Sequence, residues 1–295
     1  DPAQKTINSE GFSLAVNGSN YVSGSVVHFA GQDRATQFVS STQLTATILA
    51  ADLTTLGSYP ITVVSPAPGG GVSSASVIFT VRPPTLGTPY AHYTLAGNAA
   101  DVSGNERHGT VFQATLTADK SGEDGQALLF DGSDDYVSLP FASQALGSNI
   151  TISAWVYRTG SSSDFYVQGI VSNDRSSDRG ISIGAYPMNG PSPSSADKLQ
   201  VSAYNSLNTG SDLLGQLVPL NEWQFIAMTA DGVNLSIYQD GQLQGSRAFS
   251  GSLRGAANFR FGHDQFDESS PRFWHGKIDN VRFYDRALSA AEIAE

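Results

Sequence analysis

The 295-residue sequence contains no cysteine, which excludes disulfide staples, thiolate nucleophiles and cysteine-ligated zinc. Methionine is almost missing, at 2, and charged residues make up only 15% of the chain. No apolar run is long enough to cross a bilayer as a helix. Asp1-Pro-Ala-Gln is not a signal peptide, so the chain reads as mature or excised material. Helical periodicity of useful length does not occur before the last few residues. Positive charge is scarce as well: 16 Lys and Arg against 27 Asp and Glu leave a net charge of -11. That balance argues against a nucleic-acid or anionic-membrane partner, and the lack of a spanning run against membrane insertion.

What remains is β-type material. The chain has 30 Gly and 40% hydrophobic residues, arranged as short apolar runs broken by Gly, Asn, Asp and Ser clusters that suit turns. Val81-Arg-Pro-Pro-Thr-Leu-Gly-Thr-Pro89 interrupts the pattern, because adjacent prolines hold the backbone extended and cannot sit in a central strand. The expected domains are therefore residues 1–82, a linker at 83–89, and residues 90–295. In the first, Phe12 to Val16, Val26 to Phe29, Leu44 to Leu49, Ile61 to Val64 and Val77 to Val81 read as strands of a small sandwich.

In the second, strands are expected from Ala91 to Leu95 through Ile278 to Tyr284. Asp240-Gly241 and Asp231-Gly232 mark hairpin turns. Asp279 breaks the apolar run Ile278, Val281 and Phe283, placing a carboxylate beside a core face. Ser289-Ala-Ala-Glu292 has the spacing of a helix capping box.

Two resemblances attach to these strings. Val16-Asn-Gly-Ser-Asn-Tyr-Val-Ser-Gly-Ser25 and Gly57-Ser-Tyr-Pro-Ile-Thr-Val63 resemble the immunoglobulin-like IPT/TIG domain. The resemblance implies a spacer, and it departs from the family in lacking a strand ahead of Asp1, which leaves an edge open. Leu95-Ala-Gly-Asn-Ala-Ala-Asp-Val-Ser-Gly-Asn105, Leu129-Phe-Asp-Gly-Ser-Asp-Asp-Tyr-Val137 and Gly276-Lys-Ile-Asp-Asn-Val-Arg-Phe-Tyr-Asp-Arg-Ala-Leu-Ser289 resemble the laminin-G-like, concanavalin A-like jelly roll of bacterial secreted or surface proteins. The fold class is thus all-β, an immunoglobulin-like sandwich followed by a jelly roll.

The second resemblance implies a structural calcium ion held by Asp101, Ser103, Asn105, His108 and Asp279. Calcium needs six to eight oxygens, and such a loop is rich in them. The acidic string Asp131, Asp134 and Asp135 has a simpler reading as a turn. The resemblance also implies glycan recognition, by aromatic stacking and by polar groups set against hydroxyls. Candidates beside loops are Tyr166, Asn173, Asp174, Arg175, Tyr186, Tyr204, His263, Asp264, Gln265, Phe266 and Trp274. Trp155 and Trp223 read as sandwich core, and Trp274 as partly exposed.

Enzyme signatures mostly fail. No Glu-x-Asp-x-x-Glu strand, Gly-x-Ser-x-Gly elbow, His-Glu-x-x-His helix or phosphate loop occurs. A polysaccharide lyase built on His, Tyr and Arg would assemble only in the fold. The expectation is a non-catalytic, lectin-like module of a secreted or surface-attached protein. An adhesin binding a protein is the alternative, and a lyase or hydrolase the third reading.

Overall fold

The computed structural model describes residues 4–6, 11–67, 70–72, 76–82, 86–160, 167–187, 197–266 and 272–294. The chain divides into two compact units, Asp1–Leu86 and Gly87–Ala294.

The first unit contains β1 (Gln4–Thr6), β2 (Phe12–Asn17), β3 (Val26–Phe29), β4 (Gln32–Asp33), β5 (Thr36–Ser40), β6 (Gln43–Ile48), β7 (Gly57–Val64) and β8 (Val77–Arg82). They form two sheets, ordered β1-β8-β7-β3-β4 and β2-β6-β5. Leu14, Val27, Leu44, Ile48 and Phe79 fill the space between them, as period-2 alternation requires of a sandwich. The open edge takes a definite form: β1 runs parallel to β8 along Thr80–Arg82, and Val77 and Ile78 further along β8 are exposed.

The second unit continues with β9 (Ala91–Tyr93), β10 (Thr110–Phe112), β11 (Thr115–Thr117), β12 (Ala127–Asp131), β13 (Tyr136–Ala142), β14 (Asn149–Arg158), β15 (Gln168–Ser172) and β16 (Ile181–Tyr186). It closes with β17 (Lys198–Tyr204), β18 (Gly210–Leu217), β19 (Trp223–Asp231), β20 (Asn234–Gln239), β21 (Gln242–Ala248), β22 (Asn258–Phe261), β23 (His275–Tyr284) and α1 (Ala290–Ile293). One sheet has the order β10-β13-β22-β15-β16-β17-β18, and the other β11-β12-β23-β14-β19-β20-β21, with β9 paired to β23. Phe130, Ile152, Val156, Val201, Phe261, Ile278 and Phe283 belong to the core between them.

The turn chemistry largely follows the sequence. Asp240 and Gly241 both have positive φ, 47° and 75°, the signature of a type I′ hairpin between β20 and β21. At the other turn only Gly232 has positive φ, and the Asp231 carboxylate accepts from the Val233 and Asn234 amides instead. Ser289 Oγ accepts from the Glu292 amide while the Glu292 carboxylate accepts from the Ser289 amide, so the capping box opens α1.

The tryptophans correct the sequence reading. In β14, Ile150, Ile152, Ala154 and Val156 face the core, so the alternate residues Trp155 and Tyr157 face outward. Trp155 stands opposite Phe225 and Tyr157 opposite Trp223, with ring centroids 5.6 and 5.5 Å apart. These rings are half-buried on the outer face of the eight-stranded sheet, covered in part by Lys120 and Lys277. Trp274 is instead fully buried in the core. It shares a face with Ile278 by the two-residue period, so its flanking Arg272 and His275 were misleading neighbours.

Candidate functional site

The seven-stranded sheet turns its second face away from the core. Cross-strand register aligns one polar residue from each strand there: Thr110, Ser138, Arg260, Ser172, Ser182, Ser202 and Asp212. Their chain neighbours Val137, Leu139, Phe259, Phe261, Ile181, Ile183 and Val201 point inward. Two loops fold over this row, one after β15 and one after β22. Gly169 permits the second, because a Cβ there would lie 2.0 Å from the Asp264 backbone nitrogen. The Ser176 amide donates to the Phe266 carbonyl at 2.9 Å and ties the two loops together.

A dense polar network results. Asp174 accepts two bonds from Arg179, at 2.8 and 2.9 Å, and one from the Gly180 amide. Ser172 Oγ accepts from the Asp174 amide and donates to Asp264. Arg272 donates to Asp264 at 3.0 Å. Gln265 donates to the Ser172 and Asn258 carbonyls and accepts from Arg175. Burial pushes the Asp264 carboxyl upward, and the Arg272 guanidinium opposes it. Guanidiniums also cap the rings: Arg179 lies 3.8 Å from the Tyr204 centroid and 4.7 Å from that of Phe266, with Arg272 4.8 Å from Phe266.

A second group adjoins it. Phe112 stacks on Tyr136 at 4.5 Å, and the Arg260 guanidinium lies 4.5 Å from the Tyr136 centroid. Arg260 Nη1 is 3.1 Å from His263 Nδ1, and Phe273 stacks on the His263 ring at 4.2 Å. Burial, reinforced by Arg260, Arg175 and Arg272, lowers the His263 pKa to about 4. The imidazole is therefore neutral near pH 7 and accepts from Arg260 through Nδ1.

Of the expected ligand residues, Asp174, Arg175, Tyr204, His263, Asp264 and Gln265 thus fall on one face. Asn173 has a structural task, donating to Ser143 and the Ala257 carbonyl and accepting from the Ile181 amide. Tyr186 is exposed at the end of β16, outside this network, Trp274 is core, and Tyr166 lies outside the described residues. Arg179, Arg260, Arg272, Phe112, Tyr136 and Phe273 were not anticipated. For Arg260 a signal existed: it is the polar residue between Phe259 and Phe261, so alternation puts it on the outer face.

Of the five residues expected to hold calcium, Asp101, Ser103, Asn105 and His108 lie in one hydrogen-bonded loop and Asp279 on the last strand. The Asp101 carboxylate accepts from the backbone amides of His92, Ser103 and Arg107. Asn105 donates to the Pro89 and Tyr90 carbonyls, and His108 Nδ1 accepts from the Asp101 amide. β9 separates Asp101 from the last strand, since Tyr93 pairs with Val281 on one side and bridges to Asp101 on the other. Asp279 instead has Asp119 and Lys120 as its charged neighbours, and burial raises its pKa to about 6. Asp131, Asp134 and Asp135 bring carboxylate oxygens within 4.8 Å of one another, and Asp135 accepts from the Asp131 amide.

Residues 131–294 match the family model of the concanavalin A-like lectin/glucanases superfamily, Laminin_G_3, and the chain belongs to that family. No curated protein matches it. Among solved structures it is similar to domain 4 of AbnA, a GH43 extracellular arabinanase from Geobacillus stearothermophilus, in complex with arabinotriose. That likeness has 19% identity and a TM-score of 0.51, covering 70% of this chain and 97% of the other. The binding domain of botulinum neurotoxin DC in complex with SialylT is similar at 17% identity and a TM-score of 0.53, covering 70% of this chain and 50% of that one. At such identities the likeness establishes the fold. No helix among the described residues is long and apolar enough to cross a membrane.

Proposed function

We propose that the protein is a non-catalytic carbohydrate-binding module of a secreted or surface-attached bacterial protein. Its first unit is proposed to serve as an IPT/TIG-type spacer and its second as the reader. The observation that carries this reading is the convergence of aromatic rings, arginine forks and amide groups on the outer face of the seven-stranded sheet. Such a surface suits sugar rings, which present C–H faces for stacking and hydroxyls for hydrogen bonds. The arabinotriose and SialylT held by the two structural neighbours support it.

The same geometry argues against proton-transfer chemistry. Asp174 and Asp264 are each held by an arginine and a backbone amide. His263 Nδ1 is taken up by Arg260, and its Nε2 makes no hydrogen bond to Tyr136, so the two are not coupled as a lyase pair requires. Structural calcium is not needed for this reading, because the proposed site does not include the Asp101 loop.

A glycan array on the intact chain, run with calcium and again with chelator, tests the proposal. Binding to a defined glycan in both conditions is the expected outcome. A blank array with the fold intact would transfer the reading to a protein-binding adhesin, and depolymerisation of a bound polysaccharide would replace it with an enzyme.

A further inference from the structure

In this acidic chain, with its net charge of -11, Arg260 stands out by its surroundings. It projects from β22 onto the outer face, half-buried, and makes no ion pair with any carboxylate among the described residues. Its near neighbours are the Tyr136 ring, already backed by Phe112, and the neutral nitrogen of His263. Stacking on a ring leaves the in-plane N–H edge of a guanidinium free to donate. Beside it His263 is 3% exposed, and its Nε2 has no hydrogen-bond partner among the described residues. Because Nδ1 accepts from Arg260, the ring proton resides on Nε2, so this atom is a buried donor without an acceptor. Orphaned buried donors are costly and rare in folded chains. Among the described residues Arg260 is thus a cation without a counter-charge, its free N–H edge calling for an anionic oxygen, while the buried His263 ring fixes its place.

We propose that Arg260, stacked on Tyr136 and braced by His263, is an oxyanion subsite that directs this face to acidic glycans bearing carboxylate or sulfate groups. The inference rests on the carbohydrate reading and adds the charge class of the ligand. Arg260 touches the anion. His263 is a positioning residue that holds the guanidinium in plane.

The test is titration of the intact chain with three probes at low salt: polygalacturonate for carboxylate, heparin for sulfate, and neutral arabinan. Binding to one or both acidic polysaccharides and not to arabinan is expected, and which of the two binds identifies the group. Arg260→Gln should weaken acidic binding about 10-fold or more and flatten its salt dependence by about one charge. Arg260→Lys keeps the charge without the planar fork and should fall between. The melting temperature of each variant controls for folding. His263→Asn should weaken acidic binding while leaving the salt slope unchanged, which loss of fold would not do. Arabinan bound as tightly as the acidic probes, or Arg260→Gln with undiminished acidic binding, overturns the subsite and leaves the lectin reading standing. Failure of all three probes overturns the subsite, and a blank glycan array would additionally remove the lectin reading.

Discussion

Asp101 and Asp279 flank the same sandwich, yet their surroundings treat their charges in opposite ways. Burial alone would raise the Asp101 pKa, but the amides of His92, Ser103 and Arg107, together with the Ser103 hydroxyl, outweigh it and the net shift is downward. Its folded pKa is below the unfolded one, so it stabilises above the unfolded pKa and loses that contribution as pH falls through the folded value. Asp101→Ala orphans three amides and should cost about 2–4 kcal/mol, with Asp101→Asn costing less. Chemical denaturation with and without chelator measures this; equal losses in both conditions are expected for a loop closed by hydrogen bonds, and a chelator-dependent loss would restore calcium.

Asp279, with a pKa near 6, carries a penalty above that pH which is relieved as it protonates. Asp279→Asn should therefore stabilise the protein by about 1–2 kcal/mol at pH 7, with the gain vanishing by about pH 4 as the wild-type carboxyl becomes neutral. Stability curves at those two pH values decide it. His263 works the other way: its pKa of about 4 lies below that of an unfolded histidine, so stability is lost as pH falls from about 6.5 toward that value.

Among elements, the loop after β22 depends on Gly169 as much as on its own residues. Gly169→Ala forces a Cβ into the Asp264 amide. It should cost several kcal/mol or displace the loop, abolishing glycan binding together with the Arg272–Asp264 pair. Calorimetry and binding on the same variant check it, and unchanged binding would show that the loop is not part of the site. Gly241→Ala imposes a side chain at φ 75° and should cost about 1 kcal/mol, leaving binding intact.

Elements were also the scale at which the sequence was most legible. Local rules sufficed for the Asp240-Gly241 turn and the α1 cap. They failed for the three tryptophans, because period-2 alternation fixes which residues share a face but not which face is the core. Ile152 and Val156 mark the inner side of β14 as clearly as Ile278 marks that of β23; reading outward from those anchors exposes Trp155 and buries Trp274. The site was half legible for a related reason. Loop residues such as Asp174 and Gln265 announce themselves by composition, whereas Arg260, Tyr136 and Ser172 come together only through the register of β13, β22 and β15.

For the molecule as a whole, each unit has its own core, and each should unfold as its own cooperative transition. Scanning calorimetry should resolve two endotherms, and residues 87–294 prepared alone should bind glycan as the intact chain does. Loss of binding in that fragment would give the first unit a share in the site.

The position of β23 has a further consequence, for biosynthesis. It is the last strand of the described chain, yet it lies inside its sheet, holding β12 on one side and β14 on the other and pairing with β9 as well. While the ribosome is still making this segment, β12 and β14 have no common neighbour and the cavity meant for Trp274 and Ile278 stands open. The nascent domain therefore exposes sticky strand edges until β23 itself has emerged and paired.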